Sequence, residues 1–373
     1  MQDPWRHVES DDALVADFLA ATVEAVTDAG GWLHPGARIV ERHGELSLVG
    51  AAADGEPLVR LTKSAMVRVG RVTWADSVDR LESLDVPDGI FGAELELLIL
   101  QTALHNACGK IPRLASDHPL LAPDLPLEVI DAVRVFRPSF RLRQPSPASL
   151  LWSTRAFRLD LDGSGTPEPV ALPIVDLLNH DHRGGRGTWT GESFDIRANH
   201  PTTTDECFLD YGLERDPIGM AVVYGFADVT SNVAHSAPLM VEVPGVGHVR
   251  LAAKGRARSG ELLAPLVRAD GDGTVISHLT FRPGQVESLA EDLRMASGWS
   301  AEQCASVVDA VAEANVERLD DLAAAAMASA DSSPAARVLR DAALRQRWVV
   351  LSASSGGPTT ESSSSSLSSG TVG

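Results

Sequence analysis

Basic residues, tyrosine, cysteine and long apolar runs are all scarce in this chain of 373 residues. Lysine and arginine number 32 against 51 acidic residues, which leaves a formal charge of −19. Nucleic-acid affinity comes mainly from basic side chains neutralising phosphates, so such a partner is not expected. The balance suits a basic segment of a protein partner, or simply a solvated surface. Three cysteines, Cys108, Cys207 and Cys304, lie far apart without paired spacing, so neither a zinc knuckle nor a disulfide framework can be written. No run approaches about 18 continuous apolar residues, so no membrane span is expected. The first residues lack a basic start followed by an apolar stretch, which makes the cytoplasm the default expectation.

An ordinary apolar fraction, 44%, allows a sizeable core. Helical spacing of Leu14, Val15, Phe18, Leu19, Val23 and Val26 predicts a helix over 11–29, with Ser10 or Asp11 capping its start and Gly30-Gly31 at its end. Between about 37 and 62 the period shortens to β-type runs: ARIVER, LSLVG and EPLVRL. Residues 92–109 return to helix inside a Pro- and Asp-rich stretch. β-like segments follow at 170–175, 206–212, 239–243 and 248–253. Helices are expected at 285–297, 301–328 and 334–347, the last capped by Ser333 with Pro334 in its first turn. Beyond about 353 the Ser-rich sequence has almost no apolar content and reads as a disordered tail.

The chemistry concentrates in Leu172-Pro-Ile-Val-Asp-Leu-Leu-Asn-His180, then Glu206-Cys-Phe-Leu-Asp-Tyr-Gly212, then Tyr224-Gly-Phe226. Upstream stand Ser153-Thr-Arg-Ala-Phe157 and Gly44-Glu-Leu-Ser-Leu-Val-Gly50. The only two tyrosines, Tyr211 and Tyr224, both fall within this set. In this order the residues resemble the SET-domain methyltransferases of the Rubisco large-subunit lysine methyltransferase type, a group that includes relatives methylating histidine in actin. The resemblance covers roughly residues 35–235, and its domain order extends to a helical region near 255–350.

The resemblance implies an α+β fold: the small β-sheets of a SET core closed by a pseudoknot, a helical insertion near 75–150, and an all-helical C-terminal domain. In the pseudoknot the Asn-His segment and the Tyr211 strand end meet beside the first loop. Domain limits follow at 1–235, 236–352 for the substrate-binding-like part, and 353–373 for the tail. It implies S-adenosylmethionine as cofactor and a protein as methyl acceptor, lysine first and histidine second. Tyr211 would be the catalytic phenol, with Tyr224 either lining the acceptor channel or packing in the core. Leu46, Arg155, Asp176, Asn179, His180 and Phe226 would hold the cofactor: Leu46 through its backbone, Arg155 at the carboxylate, Asn179 at the amino-acid end, His180 with its backbone facing the adenine, and Phe226 on the ring.

Chemistry favours these residue types. Methyl transfer from a sulfonium is an in-line displacement governed by alignment, and the attacking amine must be neutral, which a desolvated channel promotes. Two positions depart from the pattern: Gly44-Glu45-Leu46-Ser47 has one glycine where two are usual, and Asp216-Pro217 stands where Ser-Asn is common. They motivate a second reading, a SET-fold binding or scaffold protein without turnover. A third is a metal-dependent hydrolase built on His180 and His182, although the spacing offers no third ligand. Asp160-Leu-Asp-Gly-Ser-Gly165 imitates the start of a calcium loop but has Ala171 at its twelfth position, so a polar turn is expected.

Overall fold

The computed structural model describes residues 3–50, 52–199, 205–211, 215–252, 264–271 and 273–353, with backbone alone at 257–258 and 261–262. The expected tail from 354 onward, Gly212 and residue 253 lie outside the described residues. The chain is α+β and divides into two units. The first comprises 1–233, 257–262 and 318–346; the second comprises 234–256, 263–317 and 347–373.

In the first unit, α1 (Ala13–Asp28) is capped by Asp12, not by Ser10 or Asp11: its carboxylate accepts from the Leu14 and Val15 amides. Ser10 is held elsewhere, its hydroxyl within hydrogen-bond distance of the Glu41 carboxylate and the Asp12 carbonyl. Helix α1 packs on α2 (Ala93–Ala107), and left-handed Gly109 turns α2 into α3 (Lys110–Asp117). Two further helices, α4 (Leu127–Phe136) and α5 (Pro147–Arg155), complete the helical stretch. Ser146 caps α5 and Pro147 opens it, an N-terminal arrangement that leaves no needed donor missing.

The sheets of this unit are small. Strand Ala37–Arg42 lies between Val8–Ser10 and Glu45–Gly50. A four-stranded sheet runs in the order Gly187–Trp189, Ser193–Arg197, Pro57–Thr62, Trp32–Leu33. Alternation supplies the core: Ala37, Ile39, Leu46, Leu48, Leu58, Val59 and Leu61 are buried together with Leu19, Val23 and Leu97. The calcium-like segment is a turn, with the Asp160 carboxylate accepting from the Ser164 and Gly165 amides.

The second unit corrects the all-helical expectation. It holds a four-stranded sheet in the order Leu239–Val243, Gly247–Leu251, Gly273–Ile276, Val267–Asp270. Helix α7 (Val286–Ser297) follows. Helices α8 (Ala301–Met327) and α9 (Pro334–Ser352) each contain a boundary between the units, and the Ser333 hydroxyl accepts from the Ala336 amide at the start of α9.

Candidate functional site

The segment 172–180 is shaped by one unusual residue. Buried Ile174 has φ 72°, ψ −44°, a conformation that a β-branched residue adopts only when packing holds it there, at a cost of about 1–3 kcal/mol. It turns the chain into a short 3-10 helix, Val175–Leu177, which delivers Asn179 and His180 to the start of strand Asn179–Gly185. That strand runs parallel to Phe208–Leu209, pairing Asn179 with Phe208 and His180 with Leu209. Close approach requires Gly184, where a Cβ would lie 2.8 Å from backbone atoms of Asp181, Phe208 and Leu209. The Cys207 amide donates to the Leu48 carbonyl at 2.8 Å, which brings strand Glu45–Gly50 to the same place. Three segments remote in sequence thus converge.

At their junction Tyr211 is pinned at both ends. Its hydroxyl donates to the Leu178 carbonyl at 2.6 Å, and its backbone amide donates to His180 Nδ1 at 3.2 Å. His180 Nε2 lies 3.0 Å from Asp228 Oδ2. Asp228 Oδ1 accepts from the Thr230 amide, the Thr230 hydroxyl and the Ser231 amide at 2.9, 2.6 and 3.0 Å. Burial pushes the Tyr211 phenol up to about 12. Burial acts against the Asp228 carboxylate as well, but the bonds from His180 and Thr230 outweigh it and hold its pKa down at about 2.

Helix α6 (Pro217–Tyr224) brings the second tyrosine. Asp216 caps it, accepting from the Gly219 amide at 2.7 Å and from Arg137 Nη2 at 2.5 Å, and Pro217 begins it. The departure at Asp216-Pro217 is therefore a helix start. Left-handed Gly225 ends α6 against His118, whose ring would lie 2.5 Å from a Cβ at that position. The rings of His180 and Tyr211 are 5.0 Å apart, those of Tyr211 and Tyr224 are 5.0 Å apart, and Phe226 is 5.8 Å from His180. The Arg215 guanidinium sits 4.8 Å over the Tyr224 ring.

Two clefts meet on this cluster. The larger, about 410 Å³, is lined by Arg155, Asn179, His180, Tyr211, Tyr224 and Phe226 together with Glu45, Lys110, Arg113 and His118. The smaller, about 230 Å³, shares Thr154, Arg155, Tyr211 and Tyr224 with it and adds Phe157, Asp176 and Leu209. Lys110 Nζ lies 3.0 Å from Glu45 Oε2, and Arg113 bonds both Glu45 and the His43 carbonyl. Burial, reinforced by Arg155, pushes the Lys110 ammonium below its ordinary value.

Six of the eight residues singled out from the sequence therefore line one cleft. Leu46 does not: its side chain is in the core, and its carbonyl accepts from Asn179 Nδ2 at 3.4 Å. The LSLVG run expected as β is a regular strand, Glu45–Gly50, with Leu46 and Leu48 alternating inward, so the residues that the resemblance assigned to a first loop lie on that strand. Asp176 lines only the smaller cleft; its carboxylate is buried 3.5 Å from His105, and its carbonyl accepts from Arg155 Nη1 at 2.7 Å. The His180 side chain, where a backbone contact was expected, is committed to Asp228. Sequence reasoning missed Lys110, Arg113, His118 and Asp228. Asp228 follows the Tyr-Gly-Phe element by two residues but carries no signal of its own in the sequence; the others depend on tertiary pairing. Among the described residues no three His, Cys, Asp or Glu side chains gather as a metal site.

No family model and no curated protein matches the chain. Solved structures do. One is the SET domain of LSMT bound to lysine and AdoHcy, with 12% identity, a TM-score of 0.40, and coverage of 92% of this chain and 91% of that one. Two others are Rubisco LSMT bound to AdoMet and Rubisco LSMT bound to sinefungin and monomethyllysine, each with 12% identity, a TM-score of 0.38, and coverage of 91% and 90%.

Proposed function

We propose that this chain transfers a methyl group from S-adenosylmethionine to a side-chain nitrogen of a protein, lysine first and histidine second. The observation that carries the reading is the meeting of two clefts at one phenol, that of Tyr211. In-line displacement needs donor and acceptor to approach from opposite sides of a narrow point, and Tyr211 and Tyr224 border both clefts.

The larger cleft has the size and donor set for the cofactor. Arg155 and Asn179 would hold its amino-acid end, since a planar guanidinium suits a carboxylate and a side-chain amide offers both donors and an acceptor. His180 and Phe226 would contact the adenosine, with Leu46 acting through its carbonyl and Asp176 by bracing Arg155. When bound, S-adenosylmethionine supplies an electrophilic methyl group. The smaller cleft, with Phe157, Leu209 and the two tyrosines, would take the acceptor and favour its neutral amine by desolvation. Tyr211 commits its proton to Leu178, so its oxygen lone pairs are free to accept from the amine and orient it. The overall charge of −19 supports a basic segment as the protein partner.

Calorimetric titration with S-adenosylhomocysteine tests this. Micromolar binding by the wild type, abolished by Asn179→Ala, is the expected result. A folded wild type that binds nothing would leave the scaffold reading in its place.

A further inference from the structure

We propose that Asp228 is a positioning residue that fixes the ring tautomer of His180 and, through it, the backbone of Tyr211. The catalytic consequence rests on the methyl-transfer reading above; the hydrogen-bond assignment rests on geometry alone.

The two ring nitrogens of His180 meet different neighbours. Nε2 faces the Asp228 carboxylate, which only accepts, at 3.0 Å. Nδ1 faces the Tyr211 backbone amide, which only donates, at 3.2 Å; the Leu209 carbonyl is also 3.2 Å away. A neutral ring carrying its proton on Nε2 satisfies Asp228 and Tyr211 together. The other tautomer gains the Leu209 carbonyl as acceptor for Nδ1–H, but it sets a lone pair against a carboxylate and turns two N–H groups toward each other. Rotation offers Asp228 no escape, because its second oxygen is held by three donors from Thr230 and Ser231. The side chains of His180 and Asp228 are 3% and 4% exposed, so water does not substitute for either partner. Carboxylate, imidazole and amide therefore form a chain with one direction.

The direction makes an isosteric change informative. In Asp228→Asn the amide oxygen keeps the position held by three donors, which leaves the NH₂ facing Nε2. That NH₂ must donate, so the ring proton moves to Nδ1 and the Tyr211 amide loses its acceptor. Asp228→Ala removes the partner without dictating a tautomer. A merely structural role ranks Asn, which keeps shape and volume, as the milder change. Tautomer control ranks it as the more severe one, as for a carboxylate that orients a catalytic imidazole elsewhere.

The test uses the full chain with ¹⁵N-labelled histidine. The expected spectrum of the wild type shows His180 protonated at Nε2 and that of Asp228→Asn shows it protonated at Nδ1, with faster amide exchange at Tyr211. S-adenosylhomocysteine affinity should stay within about threefold, while methyl incorporation into extract protein falls roughly 10–100-fold in the Asn variant and less in the Ala variant. An unchanged tautomer in Asp228→Asn, or unchanged Tyr211 exchange after the switch, overturns the proposal. A reversed ranking of Asn and Ala in methyl incorporation also overturns its catalytic part. Should the wild type bind no S-adenosylhomocysteine, the methyl-transfer reading fails separately, and the spectra and exchange rates still decide the assignment.

Discussion

One wall of the larger cleft carries Glu45, Lys110, Arg113 and Arg155, and another carries His180, Tyr211, Tyr224 and Phe226. On the charged wall Glu45, whose side chain is 70% exposed, pairs with Lys110 and Arg113, and Arg155 is held by the Asp176 carbonyl. The aromatic wall is fixed by backbone partners: Tyr211 to Leu178, His180 to the Tyr211 amide. The exposed Glu45 and Arg113 side chains retain rotamer freedom and can follow a ligand, whereas the Tyr211 ring, held at both ends, cannot. The difference assigns affinity to the first wall and alignment to the second, and that division can be broken by mutation.

Tyr211→Phe should give the largest effect. Losing the hydroxyl leaves the ring stack intact, so methyl transfer is expected to fall on the order of 100-fold or more while S-adenosylhomocysteine binding changes little. Equal loss of both would mean that the aromatic wall also sets affinity.

His118, which lines the cleft and packs against Gly225, should show its effect in stability. Its Nδ1 accepts from the Leu120 amide at 3.1 Å and its Nε2 lies 3.3 Å from the Val223 carbonyl. Burial depresses its pKa from 6.5 to about 4. The unfolded chain therefore binds this proton more tightly, so the contribution is complete above pH 6.5 and is lost as pH falls toward 4, about 3 kcal/mol in all. Denaturation curves should show the stability gap between wild type and His118→Gln narrowing over that window; a constant gap would mean that the ring does not titrate with folding.

The smallest expected effect sharpens the charged wall. Lys110→Met should weaken S-adenosylhomocysteine by about tenfold, the loss of one charge-assisted contact, and leave 5′-methylthioadenosine, which lacks the amino-acid end, unchanged. Equal weakening of both ligands would show that Lys110 acts by shaping the wall and not by meeting a carboxylate.

The aromatic wall was legible because its residues sit in three short stretches, 172–180, 206–211 and 224–226, where residue type and order carry the signal. Of the charged wall only Arg155 was singled out. Lys110 meets Glu45 across 65 positions, and nothing local in Gly109-Lys110-Ile111 distinguishes it from an ordinary helix start. Helix positions were read well where apolar spacing was regular, as in α1 and α2. The sheet of the second unit was half seen: Leu239–Val243 and the strand beside it have alternating apolar residues, but Val267–Asp270 is mostly exposed and Gly273–Ile276 begins at a polar turn. Val267–Asp270 is an edge strand, which buries little and so resembles a loop in composition, whereas Gly273–Ile276 pairs on both sides and escaped because it has only four residues and begins with a glycine. The Asp228–His180 bond escaped because a carboxylate two residues past Tyr-Gly-Phe has no periodic signature.

Helix α6 has eight residues between the Asp216 cap and left-handed Gly225, a rod of about 12 Å with Tyr224 as its last position. Its length works as a gauge. One inserted residue would turn Tyr224 by about 100° about the helix axis relative to the Asp216 cap and carry it, with the Gly225 stop, off the Tyr211 ring. Substitutions along this rod are a question of packing, but its residue count is a question of aim, so insertions and deletions between Asp216 and Gly225 should be tolerated far less than changes of side chain.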